Sequence, residues 1–236
     1  AVAKNAAGVR VGVPEEYFAD GLDPQIESLT REALQQLVTL GCELVPVRLP
    51  HTRYAIPAYY LVATSEASSN RARYDGVRYG PRVSGGGNLD AMYRNTRAAG
   101  FGNEVKLRIL LGSFCLQSGY YDAYYLKATK VRTLIRRDFE AAFESCDVLA
   151  TPTSPVPAFR LGTKLEDPLA MYLCDTLTAP ANLAGVPGIS IPCGFTQAGL
   201  PAGLQILGPV LGEARVLQVA QAYQDATDHH QREPEP

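Results

Sequence analysis

The chain holds 236 residues, 46% apolar and 19% charged, with a net charge of -2. That balance excludes a disordered polypeptide and supplies enough apolar surface for a sizeable core. The near-neutral whole is no magnet for nucleic acid or an anionic membrane. No apolar run approaches the ~18 residues of a bilayer span, and the start has no signal-peptide layout.

The elements are predicted in chain order. Val9 to Val13 alternates and is rich in valine, which predicts a strand. Asp23-Pro24 then offers an N-cap with proline at the first helical position. Ile26, Leu29, Ala33, Leu37 and Leu40 follow at three-and-four spacing until Gly41 closes the helix, and Cys42 to Val47 predicts the next strand. A strand-helix-strand opening of this kind argues for parallel strands covered by helices. The middle is predicted helical over Arg53–Tyr74, Asn88–Ala99, Asn103–Ser118 and Tyr120–Phe143. In the last of these, Tyr121, Tyr124, Ala128, Val131, Ile135, Phe139 and Ala142 form one stripe. Ser84-Gly85-Gly86-Gly87 reads as a loop.

Strands return at Asp147–Ala150, Gly188–Pro192 and Gly203–Gly208, and a final helix spans about Glu213 to Ala226. The fold class is therefore α/β, a mixed central sheet flanked by helices. One domain is expected over residues 1–228 with a mainly helical insert at about 53–143, followed by a disordered tail over 229–236. The opening residue is Ala1 rather than Met, which fits a processed chain or one piece of a longer protein.

Five cysteines, Cys42, Cys115, Cys146, Cys174 and Cys193, are irregularly spaced and include no C-x-x-C pair. With only His51, His229 and His230 to join them, reduced thiols in a cytoplasmic protein are expected, with neither disulfides nor a metal. Neither a G-x-S-x-G elbow nor an S-x-x-K pair occurs, and the glycines after Ser84 lack the lysine of a phosphate cradle. An excess of cations (Arg94, Arg97, Lys106, Arg108, Lys127, Lys130, Arg132, Arg136 and Arg137) is opposed in its stretch only by Glu104 and Asp122. Such a face meets a phosphate backbone in some proteins and is merely solvated in most.

Arg108 differs from these because it falls on the apolar side of its helix, between Val105, Ile109 and Gly112. A guanidinium there needs a partner, since burying an unpaired charge costs several kcal/mol. Two readings stand together: an ion pair with Glu104 one turn earlier, or a pocket arginine awaiting a carboxylate.

Longer blocks then resemble a known family. Leu183-Ala-Gly-Val-Pro-Gly-Ile-Ser-Ile-Pro-Cys-Gly194 and Gly199-Leu-Pro-Ala-Gly-Leu-Gln-Ile-Leu-Gly208 look like the C-terminal signature of amidase-signature enzymes. Ser65-Glu-Ala-Ser-Ser-Asn70, Arg73-Tyr-Asp-Gly-Val-Arg-Tyr-Gly80, Gly119-Tyr-Tyr-Asp-Ala-Tyr-Tyr125, Lys130-Val-Arg132 and Asp167-Pro-Leu-Ala-Met-Tyr172 resemble the A subunits of glutamyl-tRNA(Gln) amidotransferases in particular. The likeness runs from Gly8 to about Gln224.

The resemblance implies a glutaminase half. Such subunits hydrolyse glutamine at a Ser-cis-Ser-Lys triad, and the ammonia converts Glu-tRNA(Gln) to Gln-tRNA(Gln) on a partner. No triad motif occurs in these 236 residues, so no catalytic residue is assigned and the isolated chain is expected to be inactive, with exposed apolar surface where an N-terminal half packs. By the same resemblance Arg108 binds the α-carboxylate of glutamine, Asp175 its amino group, and Tyr59 (or its neighbour Tyr60) lines the pocket. Taken without it, Asp175 reads as an N-cap for a turn at Thr176, and Tyr59 as core. Partners implied are the N-terminal half and subunits B and C, with tRNA reached through the complex. No cofactor is expected in this chain, ATP and Mg2+ belonging to the partner. Two further readings are another amide hydrolase of the family and a non-catalytic scaffold or tRNA-contact module.

Overall fold

A computed structural model describes residues 5–19, 21–84, 87–163 and 168–233. The chain divides into two compact units, one made of 1–56 with 132–236 and the other of Pro57–Val131.

The first unit is built on a five-stranded mixed sheet. Its strands are β1 (Arg10–Pro14), β2 (Glu43–Val47), β3 (Val148–Pro152), β4 (Gly188–Phe195) and β5 (Pro201–Leu207), in the order β2-β1-β3-β5-β4. β1 runs parallel to both β2 and β3, whereas β5 is antiparallel to β3 and β4. Helix α1 (Pro24–Thr39) joins β1 to β2. Asp23 accepts from the backbone N–H groups of Gln25 and Ile26 at its start. At its end Gly41, with φ +88°, donates to Val38 O while Cys42 donates to Leu37 O, the paired bonds of a Schellman stop. Leu37, Val11, Val148, Leu204, Ile206 and Val219 are essentially inaccessible. Each side chain so buried contributes about 1.5–3 kcal/mol, so the core lies where α1 and α8 (Glu213–Asp225) share the sheet.

The second unit is helical. It contains most of α2 (Ala55–Arg71), then α3 (Leu89–Gly100) and α4 (Asn103–Cys115); the two division points fall in α2 and in α5 (Lys127–Ser145). One π-helical turn, Asp122–Leu126, precedes α5, with Leu126 N–H donating to Tyr121 O. This corrects the single helix expected over Tyr120–Phe143. A π turn adds one residue and turns the preceding side chains by about 100°. Ala128, Ile135, Phe139 and Ala142 are therefore buried as expected, while Tyr121 and Tyr124 come off the stripe and are exposed. Leu107, Leu110, Leu111 and Phe114 of α4 are exposed as well.

After α2, Asp75 holds a tight turn. Its carboxylate accepts from the backbone of Val77 and Arg78 and from the Arg78 guanidinium. These bonds, the Val77 one foremost, hold its pKa down at about 2. A depressed carboxylate stabilises the fold above its unfolded value near pH 4. That contribution is lost as pH falls through the folded value. We expect the Asp75 carboxyl carbon to titrate near pH 2 by NMR. Titration at the ordinary aspartate value would mean that the turn does not persist in solution.

At the other end, His229–Gln231 form a 3-10 turn, and Arg232 lies over the Phe195 ring at 5.3 Å. These residues belong to the 229–236 tail expected to be disordered. Residues 234–236 lie outside the described residues. So do Gly85 and Gly86 of the glycine loop and Asp167 of the block ending at Tyr172.

Candidate functional site

Arg108 lies on the half-buried face of α4, and Tyr59 and Tyr60 come from α2. The two helices can meet because Gly112 has no side chain: a Cβ there would overlap Thr64 O and stand 2.5 Å from Thr64 C. Ser68 and Ser113 share a hydroxyl hydrogen bond of 2.9 Å along the same crossing. Four residues before Gly112, Arg108 thereby reaches the tyrosines.

Its guanidinium donates from Nε to Glu104 Oε1 at 2.7 Å and from Nη1 to Tyr59 Oη at a long 3.4 Å. The Tyr60 ring centroid is 5.8 Å from Cζ, and the two tyrosine rings meet edge to face at 5.1 Å. The ion-pair reading of Arg108 is realised, and the guanidinium has a second, longer contact to Tyr59. The intrahelical pair forms, yet the side chain also faces the tyrosine named as its pocket neighbour. Hydrogen bonding to Glu104 raises the arginine's pKa against the opposing effect of burial, so the charge is permanent. Of the tyrosine pair it is Tyr59 that presents a hydroxyl to Arg108.

Asp175 belongs to the first unit, on a run of turns between α6 (Pro168–Leu173) and α7 (Ala179–Ala184). It is no N-cap: Thr178 occupies that position, and Asp175 contributes its backbone carbonyl to Thr178 and Ala179. Among the described residues its carboxylate makes no hydrogen bond or ion pair, and the residue is exposed. The turn is anchored by Gln205, buried on β5, whose Nε2 donates to Leu177 O at 3.1 Å and to Thr151 Oγ1 at 2.9 Å. Sequence reading took Gln205 only as part of a strand. The available signal was a lone amide between Leu204 and Ile206, which must find partners if buried.

Residues flanking Asp175 (Leu173, Cys174, Thr176 and Leu177) line a mainly apolar cleft of about 420 Å³ together with Tyr17, Leu22 and Pro155. Tyr17 Oη and Thr176 Oγ1 are buried without a hydrogen-bond partner among the described residues. Burial pushes the Tyr17 pKa up, so the phenol stays neutral.

Several cations behind the nucleic-acid reading are engaged locally. Arg94 pairs with Asp90 and Arg136 with Glu140, while Arg97 donates to the Arg71 and Tyr74 carbonyls and lies over Phe101. These contacts favour a solvated surface. All five cysteines are free thiols, and four are buried. Burial raises Cys146 to about 11 and Cys193 to about 12, which leaves both inert. Among the described residues no cluster of three metal-ligating side chains occurs, and no helix is long and apolar enough to cross a membrane.

Comparison with known proteins adds a family. The Amidase family profile matches residues 1–217. The A subunit of glutamyl-tRNA(Gln) amidotransferase from Myxococcus xanthus is 59% identical over 225 residues, covering 95% of this chain and 46% of that protein. The protein of the same name from Moorella thermoacetica is 60% identical over 228 residues, covering 97% and 46%. The crystal structure of the Thermotoga maritima counterpart, of the same name again, superposes with a TM-score of 0.73 at 35% identity, covering 96% of this chain and 44% of that one. The chain therefore spans about half the length of the relatives it matches.

Proposed function

Because the chain belongs to the amidase family, we propose that it forms the glutamine-recognising half of the A subunit of an amidotransferase. It would act with an N-terminal half that carries the Ser-Ser-Lys triad. The observation that carries this reading is the Arg108 site. A permanently charged guanidinium beside the Tyr59 hydroxyl suits the α-carboxylate of an amino acid better than a neutral acyl amide. By the family resemblance, Asp175 is proposed to meet the α-ammonium.

In this reading the ammonia serves conversion of Glu-tRNA(Gln) to Gln-tRNA(Gln) by partner subunits B and C, in the cytoplasm. ATP and Mg2+ act on the partner, and tRNA is met through the complex. The 236 residues alone release no ammonia from glutamine in this reading, since the family's triad motifs do not occur in them.

The test compares glutamine with butyramide, a neutral amide of similar chain length, on the full-length protein. The expected kcat/KM preference for glutamine is about 10³ or more, equivalent to about 4 kcal/mol of recognition of the two charged groups. Equal turnover of both would leave only the second reading, a hydrolase of other amides within the family.

A further inference from the structure

We propose that Glu104 is a positioning residue for glutamine binding, acting through Arg108: by occupying the Nε–H it leaves the terminal Nη1/Nη2 edge as the fork that receives the α-carboxylate. This rests on the reading of Arg108 given above. A guanidinium carries five N–H donors in a rigid plane, and a carboxylate can dock two of them along either the side edge (Nε and Nη2) or the terminal edge. Here Glu104 Oε1 sits 2.7 Å from Nε, which closes the side edge. Glu104 lies four residues before Arg108 on the same helix, the favourable order for such a pair. Among the described residues the other hydrogen bond of the guanidinium is the long one from Nη1 to Tyr59, which still leaves one Nη1 hydrogen and both Nη2 hydrogens. Tyr60 stands toward one face of the plane, 5.8 Å from Cζ.

A carboxylate is not an obvious choice beside a site for another carboxylate, because the two repel. Glu104 nevertheless removes one of two competing docking geometries and restrains a long side chain with many rotamers. The Arg108 side chain is one-third exposed and Glu104 just over half, so the pair is screened and adds little to stability.

The test uses the full-length protein in its assembled complex, with ammonia release as the readout. Glu104→Ala is expected to raise the glutamine KM about tenfold with kcat within about twofold, the pattern of lost binding geometry. Glu104→Gln keeps an acceptor for Nε–H while removing the repulsion, and its KM is expected within about threefold of the parent. Glutaminamide, whose α-carboxylate is capped, is expected to have the same KM with Glu104→Ala as with the parent. In an Arg108→Ala background, Glu104→Ala is expected to add less than about twofold. The proposal is overturned if Glu104→Ala is neutral, if Glu104→Gln is as damaging as Glu104→Ala, or if the glutaminamide KM moves in step with that of glutamine. A neutral Glu104→Ala beside a strongly impaired Arg108→Ala would sink only the positioning role. An unimpaired Arg108→Ala would sink the glutamine reading itself.

Discussion

Replacing Arg108 with alanine in the full-length protein is expected to raise the glutamine KM by about 10²–10³-fold while leaving kcat far less affected. Two hydrogen bonds from a charged donor to a charged acceptor contribute about 1.5–3 kcal/mol each, and every 1.4 kcal/mol is tenfold. Loss of both would give about 10²–10⁴-fold, and solvent screening at a one-third-exposed side chain keeps the effect to the lower part of that span. Little of that loss should come from unfolding, since Glu104, the partner left behind, is just over half exposed and readily hydrated. Lysine is not expected to rescue more than about tenfold, because a point charge on a flexible stem cannot hold Glu104, Tyr59 and a carboxylate fork together. Asp175→Asn supplies the companion measurement. It removes a carboxylate without a partner among the described residues, so the folded protein loses nothing while the α-ammonium loses its counter-charge. An unchanged glutamine KM in Arg108→Ala would end the assignment of this site. An effect on kcat alone would move Arg108 from binding to chemistry.

The local parts of this site are legible in the chain order. Arg108 shares a helix face with Val105, Ile109 and Gly112, and that face is indeed the less exposed one. Asp23-Pro24 and Gly41 delimit α1 because capping and positive-φ chemistry act within a few residues. What escapes the sequence is whatever depends on phase or on distant partners. The π turn at Asp122–Leu126 shifts the stripe by one residue, and nothing in the stripe announces it. Asp175 looks like an N-cap because caps are the usual fate of an aspartate before a threonine. Its turn is held instead by Gln205, which reaches the Leu177 carbonyl from 28 positions further along the chain. Periodicity shows that Arg108 needs a partner but not which one, and the side chain contacts both Glu104 on its own helix and Tyr59 on another.

Gly112→Ala is expected to be the most damaging single-methyl change in the helical unit. The added Cβ would overlap Thr64 O and stand 2.5 Å from Thr64 C and 2.9 Å from Ser65 N. All three are backbone atoms of α2, so no rotamer change relieves the clash and the helices must separate. Overpacking of this kind costs about 1–3 kcal/mol, and the upper end applies where the obstacle is main chain. Alanine's higher helix propensity returns at most about 1 kcal/mol of that. Separation also carries Arg108 away from Tyr59, so the glutamine KM should rise together with a fall in Tm measured by thermal denaturation. Gly100→Ala is the control. It sits at the end of α3 with nothing within 4 Å of its added Cβ, so the same chemical change should be neutral or stabilise by about 0.5–1 kcal/mol. Equal Tm values for the two variants would show that α2 and α4 do not cross at Gly112 in solution. The route by which this sequence brings Arg108 to Tyr59 would then have to be a different one.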